Sequence, residues 1–158
     1  MTTSARSRRT RLDHVAVRLA SLLALGVSVV ACSGDDGDEL KCVEQLATDC
    51  VPTFDPTWDN VYANVVRQSC GGSGVSCHGP QGQGGGLELT SKDGAFASLL
   101  GDVDGRPRVL PNDPACSILI ERLESTNPSR WMPAGASAPL PAGTRCAVQK
   151  WIEMGAKP

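Results

Sequence analysis

Three residues that can carry chemistry lie close together near the middle of the chain. The segment CGGSGVSCHG contains Cys70, Cys77 and His78, and six residues separate its two cysteines. A Cys-His pair with a second Cys shortly upstream is typical of c-type haem attachment, where two thiols hold the porphyrin and the His ligates iron. The usual pattern is Cys-x-x-Cys-His, and Gly74 stands where its first Cys would be. Haem binding is therefore the central question that the sequence raises.

Other kinds of site have less support in the sequence. A closed zinc site needs four ligands, whereas His78 is the only histidine after the N-terminal segment and the cysteines are widely separated. The glycine-rich stretch 79–90 lacks the Gly-Lys-Ser/Thr of a phosphate-binding loop, and no buried strand precedes it. No nucleophile is paired with a base in the sequence, so we expect a protein that is not an enzyme.

The N-terminal residues have the pattern of an export signal. Residues 1–31 carry five arginines and one aspartate, and end in the apolar run 19–31, which is short for a membrane span. The run leads into Val29-Val30-Ala31-Cys32, which resembles a bacterial lipobox, so we predict lipidation of Cys32. The chain is then a lipoprotein of the bacterial cell envelope, held by its lipid on the periplasmic or outer-membrane side.

Charge and composition define the rest of the chain. Removal of residues 1–31 leaves ten basic and 16 acidic side chains, a net charge of −6. This acidity argues against a nucleic-acid partner and is compatible with a basic protein partner. We predict an acidic tether over residues 32–53 and one folded domain over residues 54–158.

Apolar periodicity predicts a mainly α domain of short helices joined by long loops. The helices are expected at about 57–69, 92–100, 114–124 and 142–154. Thr57 and Ser91 are candidate N-caps, and Asp113-Pro114 is a typical helix start. The chain holds only six aromatic residues, so the core is thin and needs disulfides or a cofactor to support it.

Six cysteines remain once Cys32 is assigned to lipid, and an even number in an exported chain usually means disulfides. Cys42 and Cys50 lie close in sequence and predict a small disulfide loop within the tether. Cys116 and Cys146 lie on two predicted helices that can pack together, and a structural disulfide is expected there. Cys70 and Cys77 are available either for haem or for a third bridge.

Several short motifs, taken in order, resemble a known family. They are Ser76-Cys77-His78-Gly79, Gly85-Gly86-Leu87, the stretch from Val109 to Pro114, Met132-Pro133 and the closing stretch from Trp151 to Ala156. Together they are similar to the cytochrome c-like domains of cell-envelope proteins from myxobacteria and planctomycetes. The resemblance covers roughly residues 54–157.

The resemblance implies a set of functional residues. Cys70 and Cys77 would attach haem c, His78 would be the proximal iron ligand, and Met132 the distal one. Such ligation fills the coordination sphere and implies electron transfer with a redox protein partner. The alternative is a haem-free binding or structural module on the same fold, with a Cys70–Cys77 disulfide in place of the cofactor. The wide cysteine spacing favours the alternative, whereas the presence of both His78 and Met132 favours haem.

Overall fold

The computed structural model describes residues 42–71, 77–80 and 84–158. The predicted signal peptide, Cys32 and the first part of the predicted tether lie outside the described residues. Within the described ranges, no helix is both long enough and apolar enough to cross a membrane.

Short helices separated by loops make up the described fold, and the predicted mainly α class is confirmed. The elements are, in chain order, α1 (Trp58–Val61), a π-helix (Tyr62–Gly71), a 3-10 turn (Gly84–Gly86), α2 (Lys92–Leu99), β1 (Asp102–Val103), β2 (Arg106–Pro107), α3 (Ile118–Glu124) and α4 (Ala142–Glu153).

The first helix lies where its apolar spacing predicts it, but its geometry changes along its length. Thr57 is the N-cap of α1, and its side chain accepts a hydrogen bond from the backbone N–H of Asn60. From Tyr62 onwards the chain continues as a π-helix. Side chains along it bond carbonyls five residues back, as Gln68 Nε2 does to Ala63 at 2.9 Å. This wider turn sets the direction in which the helix presents Cys70 at its end.

An aromatic cluster joins the first and last helices in the core. Trp58 of α1 and Trp151 of α4 are both 2% exposed, and their rings stack with centroids 5.1 Å apart. Phe96 of α2 lies against Trp58, with ring centroids 5.4 Å apart. These contacts bury large apolar rings from three helices in one place, so a core with few aromatic residues still holds the helices together.

A small antiparallel hairpin was not predicted. β1 pairs with β2, with Val103 opposite Arg106, in a stretch that was expected to be loop. Its turn is Asp104-Gly105, and both residues have positive φ, 50° and 77°. An Asp-Gly pair is a strong signal for a two-residue hairpin turn of this kind, so the sequence contained the information.

The third helix begins later than expected. Asp113 was predicted to start it, but α3 begins at Ile118. Asp113 instead closes a turn, since its side chain accepts from the backbone N–H of Cys116 at 3.1 Å. Buried Ser117 then donates to the carbonyl of Asp113 and accepts from the N–H of Leu110, both at 2.8 Å. These bonds hold residues 113–117 out of the helix.

The predicted disulfide pairings are wrong. Cys42 is bonded to Cys116 and Cys50 to Cys146, so Cys42 and Cys50 close no small loop, and Cys116 and Cys146 are not bonded to each other.

The reason lies in the path of residues 42–54, the N-terminal strap. This strap runs along the helical body, with the N–H of Val43 bonded to the carbonyl of Ala115 at 2.8 Å. Farther along, the buried side chain of Gln149 in α4 donates to the carbonyl of Ala47 at 3.1 Å. The strap therefore carries its two cysteines to two different helical regions.

Candidate functional site

Cys70 lies at the end of the π-helix and faces the interior. Its Sγ is 3.8 Å from the carbonyl of Val65, and the residue packs against the buried core cluster. Burial raises the pKa of its thiol to about 12. Cys70 is a free thiol, so the Cys70–Cys77 bridge expected for the haem-free alternative is absent.

Cys77 and His78 follow, within the short described segment 77–80. Cys77 is disulfide-bonded, and not to Cys70. The four other cysteines of the described ranges are taken up by the two strap bridges.

The His78 segment is fixed by backbone hydrogen bonds to the glycine turn and to the core. Gly84 donates its N–H to the carbonyl of Cys77 at 2.6 Å, and Leu89 donates its N–H to the carbonyl of His78 at 2.8 Å. Leu89 is 2% exposed and belongs to the core cluster. The two bonds place the histidine between the turn Gly84–Gly86 and the core.

The glycine turn lies beside the imidazole and close to the carbonyl of Cys77. A Cβ built on Gly84 would lie 3.1 Å from the carbonyl oxygen of Cys77 and 3.6 Å from Cε1 of His78. Gly85 and Gly86 have φ of 63° and 65°, a conformation that L side chains rarely adopt. Gly85 and Gly86 are therefore favoured by the shape of the backbone, and Gly84 by its close approach to the carbonyl of Cys77, whereas a side chain at Gly84 would make an ordinary contact with the imidazole.

His78 has one ring nitrogen without a partner. Its Nδ1 is buried and makes no hydrogen bond to the described part of the protein. Burial lowers the pKa of His78, the backbone groups of Gly84 and Leu87 oppose this effect, and the positive charge of Arg108 adds to it. The net lowering favours neutral imidazole, the form that binds metal ions.

Met132 lies in a loop that is anchored to α3. Its N–H donates to the carbonyl of Arg122 at 3.0 Å, and its peptide bond to Pro133 is cis. The side chain is partly buried and packs against the core cluster. Arg130, two residues earlier, bonds Glu121 of α3 at 2.9 Å and holds the loop from a second side.

Three of the predicted site residues therefore border one common core. Cys70 and Met132 pack against the core cluster, and His78 is bonded to its member Leu89. The structure does not bring Cys70 and Cys77 together as a bridge. In the described ranges, no three His, Cys, Asp or Glu side chains form a group suited to a metal ion.

Arg108 lies near the site, and no motif in the sequence marked it as a site residue. Its guanidinium donates to the carbonyls of Gly85 at 2.9 Å and Ser98 at 3.3 Å. Arg108 lies in a segment that the sequence predicts only as a loop between two helices. Tertiary contacts place it beside the glycine turn. The Asp-Gly hairpin signal was the one available clue, because that hairpin returns the chain to this position.

Comparison with known proteins agrees with the resemblance seen in the motifs. Residues 75–134 match the family described as Planctomycete cytochrome C. The matched segment contains Cys77, His78 and Met132 and begins after Cys70. Searches of curated proteins and of solved structures found no match. The family match covers less than half of the chain and supports a cytochrome c-like domain.

The residues present fit haem in three respects and conflict with it in one. His78 and Met132 form a donor set found in cytochromes c, the buried Nδ1 of His78 lacks a partner, and Cys70 is unbridged. The disulfide at Cys77 is the conflict, because a sulfur in a disulfide cannot also form a thioether. Attachment at Cys77 therefore requires that this bond is reduced first.

Proposed function

We propose that the chain is a lipid-anchored, cytochrome c-like electron carrier of the bacterial cell envelope, and not an enzyme. The observation that carries the proposal is the family match over residues 75–134, which spans both candidate axial ligands, His78 and Met132. Haem, when bound, supplies one-electron redox chemistry. A basic redox protein is the expected partner because the chain beyond residue 31 is acidic.

The chain's own residues have defined tasks in this proposal. His78 offers a neutral imidazole held by the glycine turn, and Met132 offers a thioether from a loop fixed to α3. Cys70 and Cys77 are the attachment positions, with Cys77 reduced. Cys32 carries the lipid, which places the domain at a membrane surface.

The test is expression of the full chain in a host that exports it and matures c-type haem. We expect a mass gain of one haem and sharp reduced α and β absorption bands. His78→Ala is expected to abolish the low-spin spectrum, and Met132→Ala to retain the haem mass while losing the low-spin bands. Met154→Leu is the matched control, since Met154 is 53% exposed and should leave the spectrum unchanged. A colourless protein without added mass contradicts electron transfer.

Lipidation has its own test. The wild-type chain is expected to gain the mass of acyl chains and to sediment with membranes, and Cys32→Ser to lose both properties. An unmodified wild-type protein in the soluble fraction contradicts the lipid anchor.

A second candidate function is a haem-free binding or structural module on the same fold. The disulfides Cys42–Cys116 and Cys50–Cys146 favour it, because they staple the described core without a cofactor. Few large apolar side chains of the described residues remain exposed, namely Val51, Leu100 and Met154. For this candidate we expect a colourless, cooperatively folded protein after expression with haem maturation. Stoichiometric haem in the same preparation contradicts it.

A further inference from the structure

The glycine turn beside His78 has no side chains of its own that could hold it in place. Gly84, Gly85 and Gly86 contribute no side chains, and glycine loses more conformational freedom on folding than any other residue. The turn nevertheless sits close to the imidazole, with its first N–H bonded to the carbonyl of Cys77. Backbone hydrogen bonds hold Gly84, whose carbonyl also accepts from the N–H of Leu87 at 3.3 Å, and a side chain from outside the turn can add support at Gly85.

The side chain of Arg108 donates a hydrogen bond to this turn. One guanidinium nitrogen, Nη2, donates to the carbonyl of Gly85 at 2.9 Å, and the other, Nη1, donates to the carbonyl of Ser98 at 3.3 Å. The side chain therefore joins the turn to the C-terminal end of α2. A planar guanidinium can hold two carbonyls in fixed directions at once.

Arg108 is itself held firmly by its backbone. Its N–H donates to the carbonyl of Gly101 at 3.0 Å, and its carbonyl accepts from the N–H of Leu119 in α3 at 2.9 Å. Its neighbour Val109 is 1% exposed. The guanidinium thus joins a residue whose backbone is fixed by two hydrogen bonds to a run of three glycines, the residue type with the greatest conformational freedom.

We propose that Arg108 is a positioning residue for His78: it clamps the turn Gly84–Gly86 against the imidazole and so fixes the orientation of the ring. The clamp itself is a property of the folded chain. Its consequence for iron ligation rests on the proposed electron-carrier function, in which the ring orientation becomes that of an axial ligand.

Two substitutions of Arg108 and one matched control test the clamp. Arg108→Gln removes both the charge and the planar guanidinium that bonds two carbonyls. Arg108→Lys keeps the charge but loses the planar guanidinium. The control is Arg106→Gln, because Arg106 lies two residues earlier and bonds Glu121 at 3.3 Å without a hydrogen bond to the turn. All three are made in the full chain.

Amide hydrogen exchange is the first measurement, and it needs no haem. In Arg108→Gln we expect the amides of Gly84 and Leu89 to exchange at least tenfold faster, and in Arg108→Lys an intermediate increase. Arg106→Gln should change them less than twofold. The nuclear Overhauser contact between the His78 ring and Gly84 is expected to weaken in the Arg108 variants alone. Unchanged exchange and an unchanged ring contact in both Arg108 variants would overturn the proposal.

The haem-loaded protein provides a second measurement, whose result would not change if Arg108 only stabilised the fold. The chemical shifts of the haem methyl groups in the ferric protein depend on the orientation of the histidine plane. We expect Arg108→Gln to change their order. Arg145→Gln is the control for this readout and should keep the order, because Arg145 bonds Glu124 and the carbonyl of Leu140. An unchanged order in Arg108→Gln overturns the axial role. A colourless protein refutes the electron-carrier function but leaves the clamp to be decided by the exchange rates and the ring contact.

Discussion

Leu89 donates its backbone N–H to the carbonyl of His78 at 2.8 Å, and the same leucine lies directly against Gly71 at the end of the π-helix. One buried residue thus connects the helix that carries Cys70 with the segment that carries His78. A substitution at Gly71 is therefore expected to displace Leu89 and, through it, the His78 segment of the candidate site.

Gly71→Ala tests this connection. A Cβ at Gly71 would lie 2.5 Å from Cβ of Leu89 and 2.7 Å from its backbone carbonyl, so main chain must move to make room. We expect a loss of about 2 kcal/mol in the free energy of unfolding, typical of overpacking a core. Urea denaturation measures the loss in stability. Faster hydrogen exchange of the Leu89 amide would show that the backbone moves at Leu89.

Gly94→Ala is the control for that substitution. Its added Cβ would meet Oγ of Ser91 at 2.6 Å, but this is the end of a side chain that can rotate away. The lost cap and the gained helix propensity are each worth about 1 kcal/mol and oppose one another. A change in stability for Gly94→Ala as large as that for Gly71→Ala would contradict the backbone-clash explanation.

The two strap disulfides are expected to contribute strongly to stability. Cys50 and Cys146 are 96 residues apart in sequence, and a bridge that closes a loop of about 100 residues restricts the unfolded chain by roughly 4 to 5 kcal/mol. We expect the double variant Cys50→Ser/Cys146→Ser to lose about 4 kcal/mol in urea denaturation. It should also release Gln149 of α4 from the carbonyl of Ala47, which exposes that face to proteolysis.

The matched control for the bridge is Cys70→Ala, which removes a cysteine that belongs to neither bridge. Its expected cost is about 1 kcal/mol, the ordinary cost of one substitution. Equal losses in the two variants would show that the strap bridge adds nothing beyond local packing.

The buried thiol of Cys70 predicts a pH dependence in the haem-free protein. Burial raises its pKa from 9.0 to about 12, so between these values the folded state keeps a proton that the unfolded state releases. Stability must then fall as pH rises through this window, by about 1.4 kcal/mol per pH unit from this group. The contribution is complete below pH 9.0 and is lost by about pH 12.

Comparison of the wild type with Cys70→Ala isolates that contribution from other groups that titrate at high pH. Urea denaturation at a series of pH values from 8 to 11 should show stability falling more steeply in the wild type. Iodoacetamide at pH 8 should modify Cys70 slowly in the folded protein and rapidly in denaturant. Parallel pH curves for the two proteins, or rapid labelling of the folded state, would show that the thiol is accessible.

Local patterns in the sequence predicted the helices well, and contacts between distant segments account for most of what was missed. Ser91 caps α2 as expected, because a cap depends only on the next few residues. Leu100, the last residue of the helix predicted at about 92–100, is the C-cap and is 38% exposed, since α2 ends at Leu99. The disulfide pairing depends on the path of the strap, which no local pattern encodes. The role of Arg108 depends on tertiary contacts that the local Asp-Gly hairpin signal does not specify.

The candidate axial ligands were selected from motifs alone. His78 and Met132 were chosen for their order along the chain; Met132 packs against the core cluster and the carbonyl of His78 is bonded to Leu89, so the structure locates them without testing their role. The state of the cysteines did not follow, because spacing left the thiols of Cys70 and Cys77 free either to pair or to hold haem. In the structure Cys70 turns inward at the end of a π-helix, whose geometry the apolar periodicity does not distinguish from an α-helix.

Glu121 is expected to secure the Met132 loop through charge. Its carboxylate accepts from Arg130 at 2.9 Å and from Arg106 at 3.3 Å, and its side chain is only 14% exposed. Glu121→Gln removes the negative charge between two half-buried arginines. We expect a loss of about 2 kcal/mol in urea denaturation, below the 3 to 5 kcal/mol of a fully buried pair. The amide of Met132, bonded to Arg122 in the same helix, should exchange faster.

Asp59→Asn provides the comparison for Glu121→Gln. Asp59 pairs with Lys92 at the surface, where its side chain is 73% exposed, and exposed ion pairs contribute little to stability because water and salt screen them. Raised salt should therefore weaken the Lys92–Asp59 pair more than the pairs of Glu121. If Glu121→Gln proves as mild as Asp59→Asn and leaves the Met132 amide unchanged, the loop is held by its backbone bonds and not by the arginine pairs.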